Sequence, residues 1–342
     1  MTLRVEAFRG SAVEWDRFAG SDPGFTHFHR FGWKGIIEDS FGHECAYLGA
    51  YDETGLLCGV LPLVRVSSRL FGRYLVSMPF LNYGGPLGSV EAVRALAAEA
   101  CARAQASGAK LLELRSRVEL PLELKVSHRK ITVVLDLPGD RAALWKGFPA
   151  KLRSQIRRPQ KEGVEVRFGV EQCGPFYEVF ARHMRDLGTP VLPRRWFELI
   201  AERLGEDAWF CCAWLNERPV AGGVGFRWAG ELEMTWAAAL ADSNRIAPNM
   251  AVYAAFMERA VESGLTRFNF GRCTPGSGTH RFKLQWGGHD EALWWYQLAS
   301  GNGEAATPSP ERGAYAWGPR LWKYLPLPVA NRLGPRIVRF LP

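Results

Sequence analysis

Residues 208–238 read AWFCCAWLNERPVAGGVGFRWAGELEMTWAA, and this stretch decides the fold. Two apolar, aromatic-rich runs, 208–215 and 219–227, flank the polar turn Asn216-Glu217-Arg218, which predicts a hairpin; a third run, 231–238, predicts another strand. Upstream, 193–204 has helical spacing, with Pro193 suited to a first turn. Downstream, a loop at 241–248 leads to a helix over 249–263 closed by Gly264, then a strand over 266–270.

The first half of the chain has the same order. A helix is predicted over 31–41, strands over 44–51 and 56–66 around the turn Asp52–Gly55, and a strand over 70–78. The loop Asn82–Pro86 follows, then an Ala-rich helix over 90–107 ended by Gly108, and strands over 110–115 and 130–137. Helix starts at 31 and 193 are offset by 162, the later helices at 90 and 249 by 159, and the hairpin turns by about as much. A nearly constant offset predicts tandem copies of one α/β unit. The expected division is a first domain over 1–145, a second over 146–300, and a linker and aromatic, basic tail over 301–342.

Length and composition agree. The 342 residues are 47% hydrophobic and 12% aromatic, too apolar for a disordered chain and enough for two domains. The net charge of +8 is local. Residues 146–167 hold seven cations against two anions, and 301–342 hold six against two, so the remainder is close to neutral. Such patches suit an anionic partner or a solvated surface. No run approaches the ~20 apolar residues of a membrane span. Met1–Glu6 lacks the apolar stretch of a signal peptide, so a cytoplasmic protein is expected, with peripheral contact at the inner membrane face open. Seven cysteines without a Cys-x-x-Cys pair predict neither a disulfide framework nor a zinc site. His27 and His29 would share one side of a strand, but no third ligand accompanies them, so no metal is expected.

Candidate chemistry concentrates in the second copy. Pro248-Asn249 opens a helix just after Arg245; a helix start can hold a phosphate or carboxylate, and Asn249 could equally be a plain cap. Phe268–Arg272 puts a glycine and an arginine at a strand's C-terminal end. After a small-residue loop, Thr274–Thr279, comes Lys283 between Phe282 and Trp286; its ammonium could face a developing oxyanion or snorkel to solvent.

The order Phe268–Arg272, Gly278-Thr279, Phe282-Lys283 and Trp286-Gly287 resembles the FemAB-like branch of the GNAT-type acyltransferases. Met184–Pro190, the run from Glu233 through Trp236 to Leu240, Ser77–Phe80, Tyr83–Gly85 and the basic stretch Lys151–Gly163 resemble a narrower group, the FemAB-like proteins associated with PEP-CTERM/exosortase systems. The likeness runs from about residue 40 to 298. It implies two GNAT-like domains and transfer of an acyl or aminoacyl group to an amine of a cell-envelope or exopolysaccharide-related precursor. It also implies an acyl-CoA or aminoacyl-tRNA donor, with no tightly bound cofactor. The chain lacks the long coiled-coil insertion of the bridge-forming relatives and a clear Gly-x-Gly pyrophosphate loop.

On this reading Lys283 stabilises the oxyanion and Arg272 orients a phosphate or carboxylate. Glu233, expected to face opposite Met234 and Trp236, is the candidate base. Lys151, Arg153 and Arg157 would bind phosphates, the two arginines sharing a helix face. Tyr83, Gly84, Gly85, Trp236, Arg245, Asn249, Tyr253, Phe282 and Trp286 would line the substrate site. Partners are a small-molecule or lipid-linked anionic substrate, tRNA, and a membrane surface touched by 312–342, though packing of that tail on the second domain is the competing reading. The alternatives are a non-catalytic protein of the same fold that binds an anionic glycan or lipid-linked precursor, and an RNA-binding protein using 146–167.

Overall fold

The computed structural model describes residues 3–68, 70–300 and 318–341. It divides into two compact units, one of Met1–Lys130 with Ala292–Arg312 and Ile337–Pro342, the other of Ile131–Glu291 with Gly313–Arg336. Each is an α/β unit around one mixed sheet, as two tandem GNAT-like copies require.

Among the described residues the first sheet has eight strands. Their order is Arg4–Ala7, Glu44–Tyr51, Leu57–Ser68, Gly72–Ser77, Leu111–Ser116, Trp294–Ala299, Lys125–Ser127, with Leu87–Gly88 beside Leu57–Ser68. The second runs His289–Ala292, Ile131–Asp136, Arg267–Cys273, Glu231–Ala239, Arg218–Trp228, Ala208–Leu215, Glu165–Phe168. Each contains three successive antiparallel strands and then one parallel pair: Gly72–Ser77 with Leu111–Ser116, and Glu231–Ala239 with Arg267–Cys273. A helix, Val90–Ala106 or Pro248–Glu262, makes each parallel crossover, because a tight turn cannot join parallel strands.

Each sheet is completed by a strand from outside its own repeat. Ile131–Asp136, which follows the first repeat, pairs antiparallel with Arg267–Cys273 of the second sheet. Trp294–Ala299, which follows the second repeat, pairs with both Leu111–Ser116 and Lys125–Ser127 of the first. The units therefore part at 130/131 and 291/292 instead of the expected 145/146 and 300/301. The partners of these strands lie far away in sequence, so no local change of composition marks the cut.

In the first unit the alanine face of Val90–Ala106 packs on Leu48, Leu61, Leu63, Leu75 and Leu112. Gly59 makes that approach close: a Cβ there would stand 2.8 Å from Ala92 Cβ. In the second, Pro248–Glu262 and Ala150–Lys161 cover one sheet face through Met250, Phe256, Met257, Leu152 and Ile156. Cys173–Leu187 and Arg194–Arg203 cover the other through Phe176, Phe180 and Phe197. Each such buried Leu or Phe contributes about 1.5–3 kcal/mol.

Candidate active site

The parallel ladder of the second unit is short. Glu231, Leu232 and Glu233 pair with Arg267, Phe268 and Asn269, and the two strands continue without further mutual pairing among the described residues. Two bulges fall where the pairing stops. On Glu231–Ala239 the register against the neighbouring strand jumps from Met234↔Gly225 to Trp236↔Val224, leaving Thr235 over. On Arg267–Cys273 it jumps from Asn269↔Val134 to Arg272↔Thr132, and Gly271 there has φ +70°. A bulge bends its strand, so both strands turn away at the same level.

Past the end of the ladder lies a cavity of about 460 Å³. Ala237, Ala238 and Ala239 line it from the strand, Asn249 and Tyr253 from the first turns of Pro248–Glu262, and Gly278, Thr279 and Phe282 from the helix Gly278–Leu284. His183 and Asp186 line it from the last two turns of Cys173–Leu187. Tyr253, Phe270, Phe282 and Trp286 pack ring on ring, with centroids 5.0–6.4 Å apart. Burial pushes the Tyr253 hydroxyl well up, so it stays protonated. Asn249 is not the cap of its helix; Ala247, at φ +54°, holds that position with no side-chain cap bond.

A buried polar cluster fixes the opening. Asn269, fully buried, donates from Nδ2 to Glu231 Oε1 at 2.9 Å. Its Oδ1 accepts from Thr132 Oγ1 at 2.5 Å and from the Gly271 N–H at 2.9 Å. Lys283 is only 3% exposed, and its Nζ donates to the carbonyls of Gly271 (2.6 Å) and Arg272 (2.9 Å), clamping the bulge. Burial lowers the Lys283 ammonium to about 8, against the opposing pull of Cys273 and Glu233, while nearby Arg272 lowers it further.

Residues 147–284 match the sequence family described as "Acetyltransferase (GNAT) domain". The second unit is GNAT-like. Solved structures agree in fold. The "Crystal structure of FemX" superposes with a TM-score of 0.66 at 16% identity, over 87% of this chain and 98% of that one. The C-terminal domain of a putative lysylphosphatidylglycerol synthetase from Agrobacterium fabrum gives 0.57 at 12% identity, over 86% and 92%. A tandem GNAT protein from the clavulanic acid biosynthesis pathway gives 0.55 at 12% identity, over 89% and 100%. No curated protein sequence matches the chain.

Several expected roles change in the second unit. Lys283 spends two donors on backbone carbonyls and is not among the residues lining the cavity. Glu233 is fully buried and accepts from Thr235 Oγ1 at 3.1 Å, so it is no accessible base. Trp236 does not share Met234's face: the extra residue at Thr235 turns it to Glu233's side, where it packs on Phe226, the cross-strand partner of Glu233, and on Trp196 and Phe197. Trp286 is 1% exposed and walls the aromatic group from behind. Arg272 is half-buried on the bulge, and Arg245 is exposed beside the helix start without lining the cavity.

The basic helix Ala150–Lys161 is fastened by two of its expected phosphate ligands. Arg153 donates to Phe148 O at 2.9 Å, and Arg157 lies 4.9 Å over the Trp145 ring; Lys151 and Arg158 are exposed. Tyr83, Gly84 and Gly85 belong to the first unit and are buried. Their close backbone approach is to the chain itself: Gly84 N donates to Arg115 O at 3.0 Å, and a Cβ on Gly85 would stand 3.0 Å from the same oxygen. His27 and His29 form a 3₁₀ turn instead of a strand, and burial holds them neutral, lowered to about 3 and about 4.

The linker expected after residue 300 and Trp317 lie outside the described residues. In the tail, Leu327–Val338 is a helix with Pro328 in its first turn and Pro335 inside. It packs Gly334 against Val191, and Arg185 donates to Leu325 O at 3.3 Å. No helix among the described residues is long and apolar enough to cross a membrane.

Sequence reasoning missed His183, which adjoins the Met184–Pro190 motif. Its signal is a histidine near the C-terminal end of an amphipathic helix, but the partner that orients it, Ala239 O, is 56 residues away.

Proposed function

We propose that the GNAT domain transfers an acyl or aminoacyl group from an activated thioester or ester to an amine on a cell-envelope or exopolysaccharide-related precursor, as in the FemAB-like, PEP-CTERM/exosortase-associated group. The observation that carries this is the parallel ladder that stops at Glu233 and Asn269 with a cavity at its open end. Backbone groups on diverging strands need partners, and an extended, amide-bearing donor inserted between them supplies those partners. The alanine run Ala237–Ala239 leaves room for such a chain.

No Lys or Arg lines the cavity, so the donor's phosphates belong outside it. The uncapped start of Pro248–Glu262 beside Arg245 suits one of them. Exposed Lys151 and Arg158 suit a longer polyanion, either a lipid- or nucleotide-linked acceptor or tRNA. Lys283 acts here as a positioning residue that keeps the Gly271–Arg272 bulge open.

The purified chain is to be assayed with acyl-CoA and aminoacyl-tRNA panels against amine acceptors. Turnover with one donor class is expected. Ala238→Phe, which fills the cavity, is expected to lower kcat/KM about 100-fold, some 2.7 kcal/mol, without unfolding the domain. A folded Ala238→Phe variant with unchanged turnover would place the reaction elsewhere. A parent that binds donors or precursors and turns over none would support the non-catalytic reading.

A further inference from the structure

We propose that the imidazole of His183 takes the proton from the acceptor amine as that amine attacks the donor's carbonyl carbon, an inference that rests on the transfer reaction proposed above. His183 is half-buried and lines the cavity beside Asn249, Tyr253 and Phe282. Its Nδ1 lies 3.0 Å from the carbonyl oxygen of Ala239 at the end of the diverging strand. A carbonyl can only accept, so the hydrogen is on Nδ1 and the lone pair on Nε2. Among the described residues Nε2 has no hydrogen-bond partner. An oriented, unprotonated ring nitrogen in the wall of the cavity is what removal of an amine proton needs.

The surroundings keep that nitrogen basic and uncharged. Burial lowers the imidazole below its ordinary 6.5, only partly offset by the Ala239 carbonyl and by Asp186 on the same helix. Tyr253, facing from Pro248–Glu262, stays protonated. The strand contributes alanines, and Gly278–Leu284 contributes Gly278, Thr279 and Phe282, none of which titrates. On the turn Ala241–Ile246, Asp242 is held by Arg182 and Arg218 at 3.0 and 2.8 Å.

In the step itself the amine nitrogen bonds to the acyl carbon. The carbon–sulfur or carbon–oxygen bond then breaks, and its electron pair leaves with the thiolate or alkoxide. The proton passes from the amine to Nε2 and from the imidazolium to the leaving group, so His183 ends neutral. Glu233, buried away from the cavity lining, takes no part in the proton path.

The test compares parent and His183→Gln over pH 5–9 with whichever donor the panel identifies, measuring kcat/KM and donor Kd. General-base assistance contributes typically 10²–10⁴-fold, so a loss of at least about 100-fold is expected. Donor Kd should stay within about threefold, the acidic limb of the pH profile should vanish, and added imidazole should restore part of the rate. Turnover of His183→Gln within threefold of the parent, with the acidic limb intact, overturns this inference and leaves the transfer reading standing. A parent inert towards every donor removes both. Should His183→Gln fail to fold, nitrogen-15 spectra of the parent decide: a neutral His183 protonated at Nδ1 and titrating below 6.5 supports the assignment, and one protonated at Nε2 overturns it.

Discussion

Lys283 is held where a cation is costly, and the pH dependence of stability should report it. Its ammonium titrates near 8 in the folded chain, against 10.5 ordinarily. Between those values the unfolded chain holds a proton that the native state has released, so stability rises with pH across the window, by up to ~3 kcal/mol. The neutral amine keeps two N–H donors, enough for both the Gly271 and Arg272 carbonyls. Urea midpoints of the parent should therefore climb from pH 8 to 10 relative to those of Lys283→Met; parallel curves would contradict the assignment. His27 and His29 follow the same sign in a more acidic window. Their stabilising contribution as neutral groups is fully present above pH 6.5 and is lost as pH falls towards 4 and 3. Acid unfolding followed by fluorescence should shift to lower pH in His29→Gln, provided the amide replaces the bond to Gly85 O.

At the scale of elements, the sequence announces strands and helices well and bulges poorly. The strands expected over 44–51 and 208–215 appear over Glu44–Tyr51 and Ala208–Leu215, because apolar runs bounded by polar turns leave little choice. Strict alternation puts Glu233 and Trp236 on opposite faces, and one extra residue at Thr235 defeats that rule. Nothing local distinguishes a bulge from an unbroken strand. Its receiving glycines, Gly223 and Gly225, sit on the neighbouring strand, where a Cβ at 225 would stand 2.9 Å from Glu233 O. The same holds for the site: Phe282 and Tyr253 are legible as residues of the substrate site, whereas the loss of Lys283 to backbone carbonyls depends on how Gly271 bends. Gly271→Ala tests that dependence. A side chain at φ +70° costs about 1–2 kcal/mol. The denaturation midpoint should fall accordingly, and turnover should fall further than stability alone explains because the clamped opening shifts.

At the scale of the whole molecule, the repeat was readable and the exchange of strands between its copies was not. Trp294–Ala299 serves the first sheet through more than backbone pairing. Gln297 Nε2 donates to the buried Glu113 at 2.7 Å, Trp295 lies 4.6 Å from the Arg115 guanidinium, and Tyr296 Oη accepts from the Leu120 N–H at 2.6 Å. A chain ended at residue 291 would take that donor from Glu113, and a hydrogen bond to a charged group contributes about 1.5–3 kcal/mol. Hydrogen exchange should then be fast throughout Leu111–Ser116 and Lys125–Ser127 and stay slow in Arg218–Trp228. Equal protection in both sheets would show that the exchanged strand is dispensable.

The exchanged strand also sets a timetable for synthesis. The first hundred and thirty residues leave the ribosome early, yet the strand that finishes their sheet is translated on the order of ten seconds later, after the entire second copy. Until then Leu111–Ser116 has an edge whose N–H and C=O groups lack their strand partner. A chain cut short before Trp294 cannot close that edge, so the first sheet is finished only once the second copy has been made.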